Sequence, residues 1–220
     1  MEDQIILIDK PAGISSFGVV AKVRGYLKAK YGHKIKVGHT GTLDPFATGL
    51  LILLTGKMTK KSDEFLKKDK IYKAILKLGY TSTTGDPEGK ITKTSDIIPT
   101  IQDIQTTISS FIGDINQKVP TFSAVKINGE RAYKLARKGV DFETPTRKVT
   151  IYSIEILEYN YPELTIRCHV SSGTYIRTLA EDIGKKLGTG AYLVALRRLQ
   201  IADYNVKDAL PLSRFERTTK

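Results

Sequence analysis

One carboxylate lies in a stretch of sequence whose residue types suit a tightly shaped, chemically active loop. The stretch runs from Gly38 to Leu50, and glycines, threonines and a proline surround Asp44 within it. Pro45 fixes its own φ and pushes Asp44 toward an extended conformation, so we expect a loop and no regular helix or strand. Asp44 is therefore a candidate reacting group. The alternative is a structural turn that the Asp side chain caps.

Other common kinds of catalytic site are missing from the sequence, which leaves a carboxylate as the expected reacting group. The sequence contains neither a P-loop nor a Gly-x-Ser-x-Gly nucleophile motif. One cysteine and three histidines give no metal-ligand spacing and exclude a disulfide framework. Arg177 is a candidate partner, because an arginine can keep a nearby carboxylate ionised and orient it. The alternative is an ordinary surface arginine.

The net charge of +12 predicts attraction to a polyanion, of which nucleic acid is the commonest soluble kind. Residues 11–43 hold six lysines and arginines and no acidic residue, and residues 118–148 hold eight against three acidic ones. Such segments beside a candidate active-site loop suit a phosphate backbone laid across the site. The alternative is a solvated surface that keeps a basic protein soluble.

Hydrophobic periodicity predicts helices and strands without a strict strand–helix–strand rhythm, which favours an α+β fold. Ser15 and Ser16 are candidate N-caps of a helix running to about Tyr31. Thr100 and Asp103 predict the start of a second helix, which is expected to stop at Gly113. The other expected elements are strands 5–8, 70–78, 149–159, 164–171 and 197–201, a helix at 174–187, and a basic excursion at 118–145 with one short helix. Alternation within 70–78 is expected to place Tyr72, Ala74, Leu76 and Leu78 on one face of the strand.

No targeting or membrane signal is present in the sequence. The first four residues are acidic where a signal peptide is basic. The apolar run from Leu50 to Leu54 is far too short to cross a bilayer. We therefore expect a cytoplasmic protein with no membrane partner, organised as a single domain over residues 1–220.

The Gly38–Leu50 stretch resembles the catalytic loop of the tRNA pseudouridine synthase B family. Further motifs of that family follow in the same order along the chain, at Leu7–Gly13, Lys70–Gly79 and Ser172–Leu179. The resemblance covers roughly residues 4 to 212. Bacterial members usually continue into a small RNA-binding domain of the PUA type, and this chain stops at Lys220.

This resemblance implies the pseudouridine synthase fold, with a mixed, mainly antiparallel central sheet flanked by helices. Residues 118–145 would be a thumb-like insertion that grips RNA. The implied activity is conversion of the T-loop uridine at position 55 of tRNA to pseudouridine, by base flipping and attack by Asp44. The implied partner is the tRNA T-arm, bound by a monomer without cofactor or metal.

The resemblance also implies a role for each matching residue. Arg177 pairs with the catalytic Asp44, Tyr72 stacks on the target uracil and could act as a general base, and His39 fills the space left by the extruded base. Lys10 lies near the floor of the site. The remaining implied substrate contacts are Asp86 and, in the insertion, Lys126, Tyr133 and Arg137.

Two other classes of function stay open. One is a non-catalytic RNA-binding or RNA-folding protein on the same scaffold, although the intact set of Asp44, Tyr72 and Arg177 argues against it. The other is the synthase subunit of a guide-RNA-dependent ribonucleoprotein. Members of that branch need accessory proteins and the C-terminal domain.

Overall fold

The computed structural model describes residues 3–215, which contain five α-helices and fourteen β-strands. The helices are α1 (Ser16–Tyr31), α2 (Ser62–Leu66), α3 (Ile101–Ser109), α4 (Ala132–Arg137) and α5 (Ile176–Lys186). The strands are β1 (Ile5–Lys10), β2 (Val37–His39), β3 (Thr48–Thr55), β4 (Lys70–Leu78), β5 (Tyr80–Ser82), β6 (Ile91–Lys93), β7 (Gly113–Lys118), β8 (Lys126–Ile127), β9 (Glu130–Arg131), β10 (Thr146–Asn160), β11 (Glu163–Val170), β12 (Ala191–Ile201), β13 (Tyr204–Asn205) and β14 (Leu210–Pro211). The predicted α+β class is confirmed.

The chain packs as two compact units. The first comprises the described residues of Met1–Lys73 and Leu196–Lys220, and the second comprises Ala74–Ala195. The unit boundaries fall inside β4 and β12. That the whole chain is a single domain stays a prediction.

The sheet of the first unit has the strand order β14-β1-β3-β12, with β2 beside β3 and β13 beside β12. Strand β1 runs antiparallel to β3, whereas β12 runs parallel to it and pairs Arg197 with Thr48. The loop that carries Asp44 joins β2 to β3. This strand order therefore brings the arginines of β12 to the end of the loop that carries Asp44.

Strand β3 is buried on both faces, which explains its unbroken apolar run. On one face Leu51 and Leu53 pack with the apolar side of α1. On the other face Ile52 and Leu54 pack with Phe65 of α2. The strand that follows the Asp44 loop is thus a rigid base for it.

Helix α1 matches its predicted limits. The Ser15 side chain accepts a hydrogen bond from the Gly18 N–H at 3.0 Å and caps the first turn. The helix ends at Gly32, whose N–H donates to the Lys28 carbonyl. No helix among residues 3–215 combines the length and apolar character needed to cross a membrane.

In the second unit β11, β10 and β7 are neighbours, with antiparallel pairing on both sides of β10. Helix α3 begins where the sequence predicts, at a capping box between Thr100 and Asp103. Its predicted end is wrong. The helix closes in a turn after Ser109, and Gly113 instead opens β7.

The 118–145 segment contains more structure than one helix. Strands β8 and β9 form a small hairpin around the Asn128-Gly129 turn, and α4 follows directly. The N–H groups of Ala132 and Tyr133 donate to the carbonyls of Val125 and Ser123, at 2.8 and 3.0 Å. These bonds fold α4 back onto the start of the segment.

Candidate active site

Asp44 is half-buried in the loop between β2 and β3. Its carbonyl accepts the Ala47 N–H at 3.1 Å, so the chain turns tightly around Pro45. At the start of the loop the Thr40 N–H donates to the Ile52 carbonyl at 3.0 Å, which ties the loop to β3. As predicted, residues 40–47 are neither helix nor strand, although β2 and β3 extend into both ends of the motif.

Lys10 holds this loop from inside the protein. Its side chain is fully buried, and its Nζ donates to the carbonyls of Pro45 at 3.2 Å and Ala47 at 2.6 Å. A third bond reaches the carbonyl of Pro11 at 2.9 Å. The ammonium group of Lys10 is thus bound by the backbone around Asp44, and contact of Lys10 with substrate stays a prediction.

Ser16 fixes the residue just before Asp44. The Ser16 Oγ donates to the Leu43 carbonyl at 2.9 Å and accepts the Leu43 N–H at 2.8 Å. Both backbone groups of Leu43 are thus bound by one hydroxyl that is itself buried. The sequence suggested only a helix cap here, because nothing local shows that a side chain in α1 reaches the loop.

Arg198 is the second buried cation under the loop. Its Nε donates to the Leu50 carbonyl at 2.7 Å, and its two terminal nitrogens donate to the carbonyls of Gly41 at 3.1 Å and Thr42 at 3.4 Å. Gly49 has φ of 101°, and a Cβ there would lie 2.3 Å from the Arg198 carbonyl oxygen. Only glycine permits this approach.

Arg198 was not predicted from the sequence, since one more arginine in a basic chain looks like a surface charge. The signal that could have found it is strand alternation, because Arg198 lies two residues after Leu196 and therefore on the same face of β12. Leu196 and Arg198 are both buried.

His39 is the last residue of β2 and lies at the start of the loop. Its Nδ1 accepts the Gly41 N–H at 3.4 Å. Burial lowers the pKa of His39, and the positive charge of Arg198 lowers it further. Both effects favour the neutral form of the ring.

Tyr72 lies on the buried face of β4, as the alternation of that strand predicted. Two residues before it, the buried Lys70 donates from Nζ to the Leu66 carbonyl at 2.7 Å and to the Lys68 carbonyl. Burial lowers the pKa of Lys70 to about 8, with a further contribution from Arg198 that Asp69 opposes. Stacking of Tyr72 on a base stays a prediction.

Arg177 is the second residue of α5 and is 5% exposed, which excludes an ordinary surface arginine. One terminal nitrogen lies 3.3 Å from Oδ2 of Asp86 and donates to the Thr84 carbonyl at 2.9 Å. The other donates to the Phe122 carbonyl at 2.7 Å. The guanidinium group is thus fixed by the turn around Asp86 and by the start of the 118–145 segment.

Asp86 is buried, and its contact with RNA stays a prediction. Its carboxylate faces Arg177, accepts the Glu88 N–H at 3.0 Å and accepts the Thr84 hydroxyl. These bonds make Asp86 a positioning residue for Arg177.

Glu181 adds a second carboxylate one turn after Arg177 on α5. Burial raises the pKa of Glu181, whereas the positive charge of Arg177 opposes the rise. The ideal Cβ position at Gly85 would lie 2.7 Å from its Oε1, and Gly85 has φ of 71°. Glycine at this position lets the turn before Asp86 close against α5.

The predicted contacts in the 118–145 segment lie on its hairpin and on α4. Lys126 and Arg137 are exposed, and Tyr133 is half-buried. The Arg137 guanidinium lies 5.7 Å from the centroid of the Tyr133 ring. An exposed cation next to an aromatic ring suits RNA, and contact with RNA stays a prediction for all three residues.

The structure distributes the predicted site residues between the two units. Asp44, His39 and Tyr72 belong to the first unit, and Arg177 and Asp86 belong to the second. Among residues 3–215, no three His, Cys, Asp or Glu side chains come together as metal ligands would. The first unit offers a carboxylate on a firmly held loop, which is a group suited to nucleophilic attack on a polar substrate. The second unit offers an arginine with a fixed orientation.

Two family models match the chain in succession. Residues 26–176 match the TruB family pseudouridylate synthase N-terminal domain, and residues 177–219 match the tRNA pseudouridylate synthase B C-terminal domain. Together they account for most of the sequence.

Curated relatives are similar over nearly the whole chain. The tRNA pseudouridine synthase B of Dechloromonas aromatica is 44% identical over 97% of this chain and 70% of its own length. The protein of the same name from Phocaeicola vulgatus is 45% identical over 97% of this chain and 92% of its own length.

Solved structures show the same fold. A chain from the crystal structure of a Cbf5–Nop10–Gar1 complex superposes with a TM-score of 0.72 at 30% identity. The match covers 95% of this chain and 52% of that one, so this chain spans about half its length. A structure of an H/ACA RNP bound to a substrate RNA that contains 2'-deoxyuridine gives a TM-score of 0.68 at 27% identity.

Proposed function

Because this chain belongs to the TruB family of pseudouridylate synthases, we propose that it converts the T-loop uridine at position 55 of tRNA to pseudouridine. The relatives are named tRNA pseudouridine synthase B, which supports tRNA as the substrate. The T-arm is the part of the tRNA that we propose it binds, as a monomer in the cytoplasm.

The observation that carries this proposal is the position of Asp44. The carboxylate is half-buried on a loop whose backbone is bound by Lys10, Ser16 and Arg198. A nucleophile held in one geometry loses little freedom when the substrate arrives, which lowers the barrier to attack.

The proposed reaction is an isomerisation that gains and loses no atoms. The target base is first flipped out of the folded T-loop, so that its glycosidic bond can be reached. Asp44 then attacks either the ribose or the uracil ring, and the bond between the base nitrogen and the ribose breaks. The uracil rotates and bonds to the ribose through carbon, and Asp44 is released. That carbon loses its proton and the ring nitrogen freed from the ribose gains one, so product and substrate have the same atoms. No external cofactor is required.

We propose three supporting roles. Arg177 keeps Asp44 ionised and aimed, Tyr72 stacks on the flipped uracil, and the neutral His39 fills the space that the base leaves. The basic 118–145 segment grips the T-arm. Arg177 also donates to the carbonyl of Phe122 at the start of that segment. In this proposal RNA binding and catalysis therefore depend on the same side chain.

The test is to incubate pure protein with unmodified tRNA transcript and to map pseudouridine chemically. Wild-type protein is expected to modify position 55 alone. Asp44→Asn has nearly the same volume, so it should still bind tRNA and should lose turnover by at least ~10⁴.

Each other outcome identifies a different function. Near-normal modification by Asp44→Asn contradicts the nucleophile. Binding without any modification by the wild-type protein indicates an RNA-binding protein. Modification that begins only after a guide RNA and partner proteins are added indicates a ribonucleoprotein subunit.

A further inference from the structure

Helix α1 carries an exposed aromatic side chain that has no part in the proposed reaction. Phe17 lies in the first turn of the helix and is 65% exposed. Arg24 follows seven residues later and Lys28 four residues after that, which places all three on one face of the helix. We call Phe17, Arg24 and Lys28 the α1 stripe.

Arg24 orders this stripe. The central carbon of its guanidinium group lies 5.9 Å from the centroid of the Phe17 ring, within the range of a cation–π contact. Its Nη2 also donates to the Val37 carbonyl of β2 at 3.2 Å. The ring and the cation are therefore arranged beside the strand that leads into the Asp44 loop.

The N-terminal end of the stripe adjoins that loop. Ser16, the residue before Phe17, forms two hydrogen bonds with Leu43, the residue before Asp44. A polymer that places one of its residues at Asp44 can therefore reach Phe17 with a neighbouring residue.

The charge of this region selects the kind of polymer. Residues 11–43 contain no acidic residue, and Arg24, Lys28 and Lys34 are exposed. In the part of the chain that the structure describes, none of these three cations has a carboxylate partner. A flat aromatic ring among such cations matches a strand that alternates bases with phosphates.

We propose that the α1 stripe is a docking surface for the RNA strand next to the target uridine. One base stacks on Phe17, and the phosphates that follow lie against Arg24 and Lys28. This inference rests on the proposed function for the identity of the RNA, and it adds where the strand runs after it leaves Asp44.

The chain contains no tryptophan, so Phe17→Trp introduces a single fluorescent reporter. A T-arm hairpin is expected to quench this indole by stacking a base on it. Heparin, which is a polyanion without bases, should bind without quenching. The matched control is Ile98→Trp, because Ile98 is also 65% exposed and lies in the other unit.

Two further variants separate stacking from charge. Phe17→Ala should weaken hairpin binding about ten-fold, the usual effect of losing one stacked base. Arg24→Gln should reduce the slope of log affinity against log salt by about one, since one phosphate contact is lost. Ile98→Ala should change neither quantity.

An indole in Phe17→Trp that responds no more than that in Ile98→Trp would overturn the proposal. So would an unchanged affinity in Phe17→Ala, and the stripe would then fit a protein partner instead. These titrations need no turnover, so a protein that binds RNA through the stripe but makes no pseudouridine would contradict the proposed function alone. A Phe17→Trp enzyme that makes pseudouridine, but whose indole fluorescence does not respond to the hairpin, would contradict this inference alone.

Discussion

At the scale of single residues, Arg177 has several partners whose geometry requires more than a simple positive charge. It contacts the Asp86 carboxylate and donates to the carbonyls of Thr84 and Phe122. Lysine would keep the charge and lose the planar fork that reaches these groups in different directions. Arg177 thus tests whether orientation or charge matters at this position.

We predict that Arg177→Lys lowers the turnover number far more than it weakens tRNA binding. The reason is that a positive charge alone attracts RNA, whereas the proposed orientation of Asp44 requires the planar guanidinium group. Single-turnover kinetics and filter binding on the same preparation would check this. Equal losses in both would mean that Arg177 supports RNA binding and catalysis alike, and that its orientation has no separate role in turnover. Lys134→Arg, an exposed substitution on α4, serves as the control for exchanging one cation for another.

Lys70 gives a prediction about stability and pH. Its pKa of about 8 in the folded protein lies below the ordinary value of 10.5. Between these two values the unfolded chain binds more protons than the folded one, so the free energy of unfolding rises with pH across that window. Protonated Lys70 therefore costs stability below pH 8, and the cost fades toward pH 10.5.

Lys70→Met should lack this dependence. Urea unfolding at several pH values would show the variant's free energy of unfolding, minus that of the wild type, falling as the pH rises from about 8 toward about 10. Lys67→Met, at an exposed neighbour, should show no such trend. A difference that stays constant with pH would mean that Lys70 keeps an ordinary pKa.

At the scale of elements, the start of α1 serves two purposes through adjacent serines. Ser15 caps the helix by accepting the Gly18 N–H, and Ser16 binds Leu43 in the catalytic-loop candidate. Loss of either hydroxyl removes hydrogen bonds worth about 1–2 kcal/mol. Of the two hydroxyls, it is that of Ser16 that forms hydrogen bonds with the loop carrying Asp44.

We therefore predict that Ser15→Ala and Ser16→Ala lower the melting temperature by similar amounts. Only Ser16→Ala should lower turnover, by about ten-fold or more, because only this substitution frees the backbone beside Asp44. Thermal unfolding and single-turnover assays below both melting temperatures would check this. If Ser15→Ala were equally impaired, general loosening of α1 would explain the loss.

The elements that could be predicted from the sequence are those whose signals are local. The N-cap of α1, the capping box of α3 and the alternation of β4 all depend on residues a few positions apart, and all were confirmed. The role of Arg198 was not predictable in this way, since its acceptors are more than 140 residues away in the chain. Asp86 shows the same limit, because its burial depends on a helix that begins about ninety residues later.

At the scale of the whole molecule, the net charge of +12 makes RNA binding depend on salt. The α1 stripe and the 118–145 segment hold enough cations for about six phosphate contacts, which on the single-strand scale gives a log–log slope of about −4. We predict that affinity for a T-arm hairpin falls steeply between low and physiological salt. Titrations at several salt concentrations would check this, and a slope near zero would show that base contacts dominate.

The first unit is discontinuous in sequence, so the Asp44 loop is synthesised well before the chain contains all of the residues that bind it. Asp44 leaves the ribosome early, but Arg198 follows only after all of Ala74–Ala195 has been made. At about 5–20 residues per second that delay is on the order of ten seconds. During this time the nascent chain carries Asp44 on a loop that still lacks the hydrogen bonds from Arg198. The loop can therefore reach its complete hydrogen-bonded form only after β12 has been made.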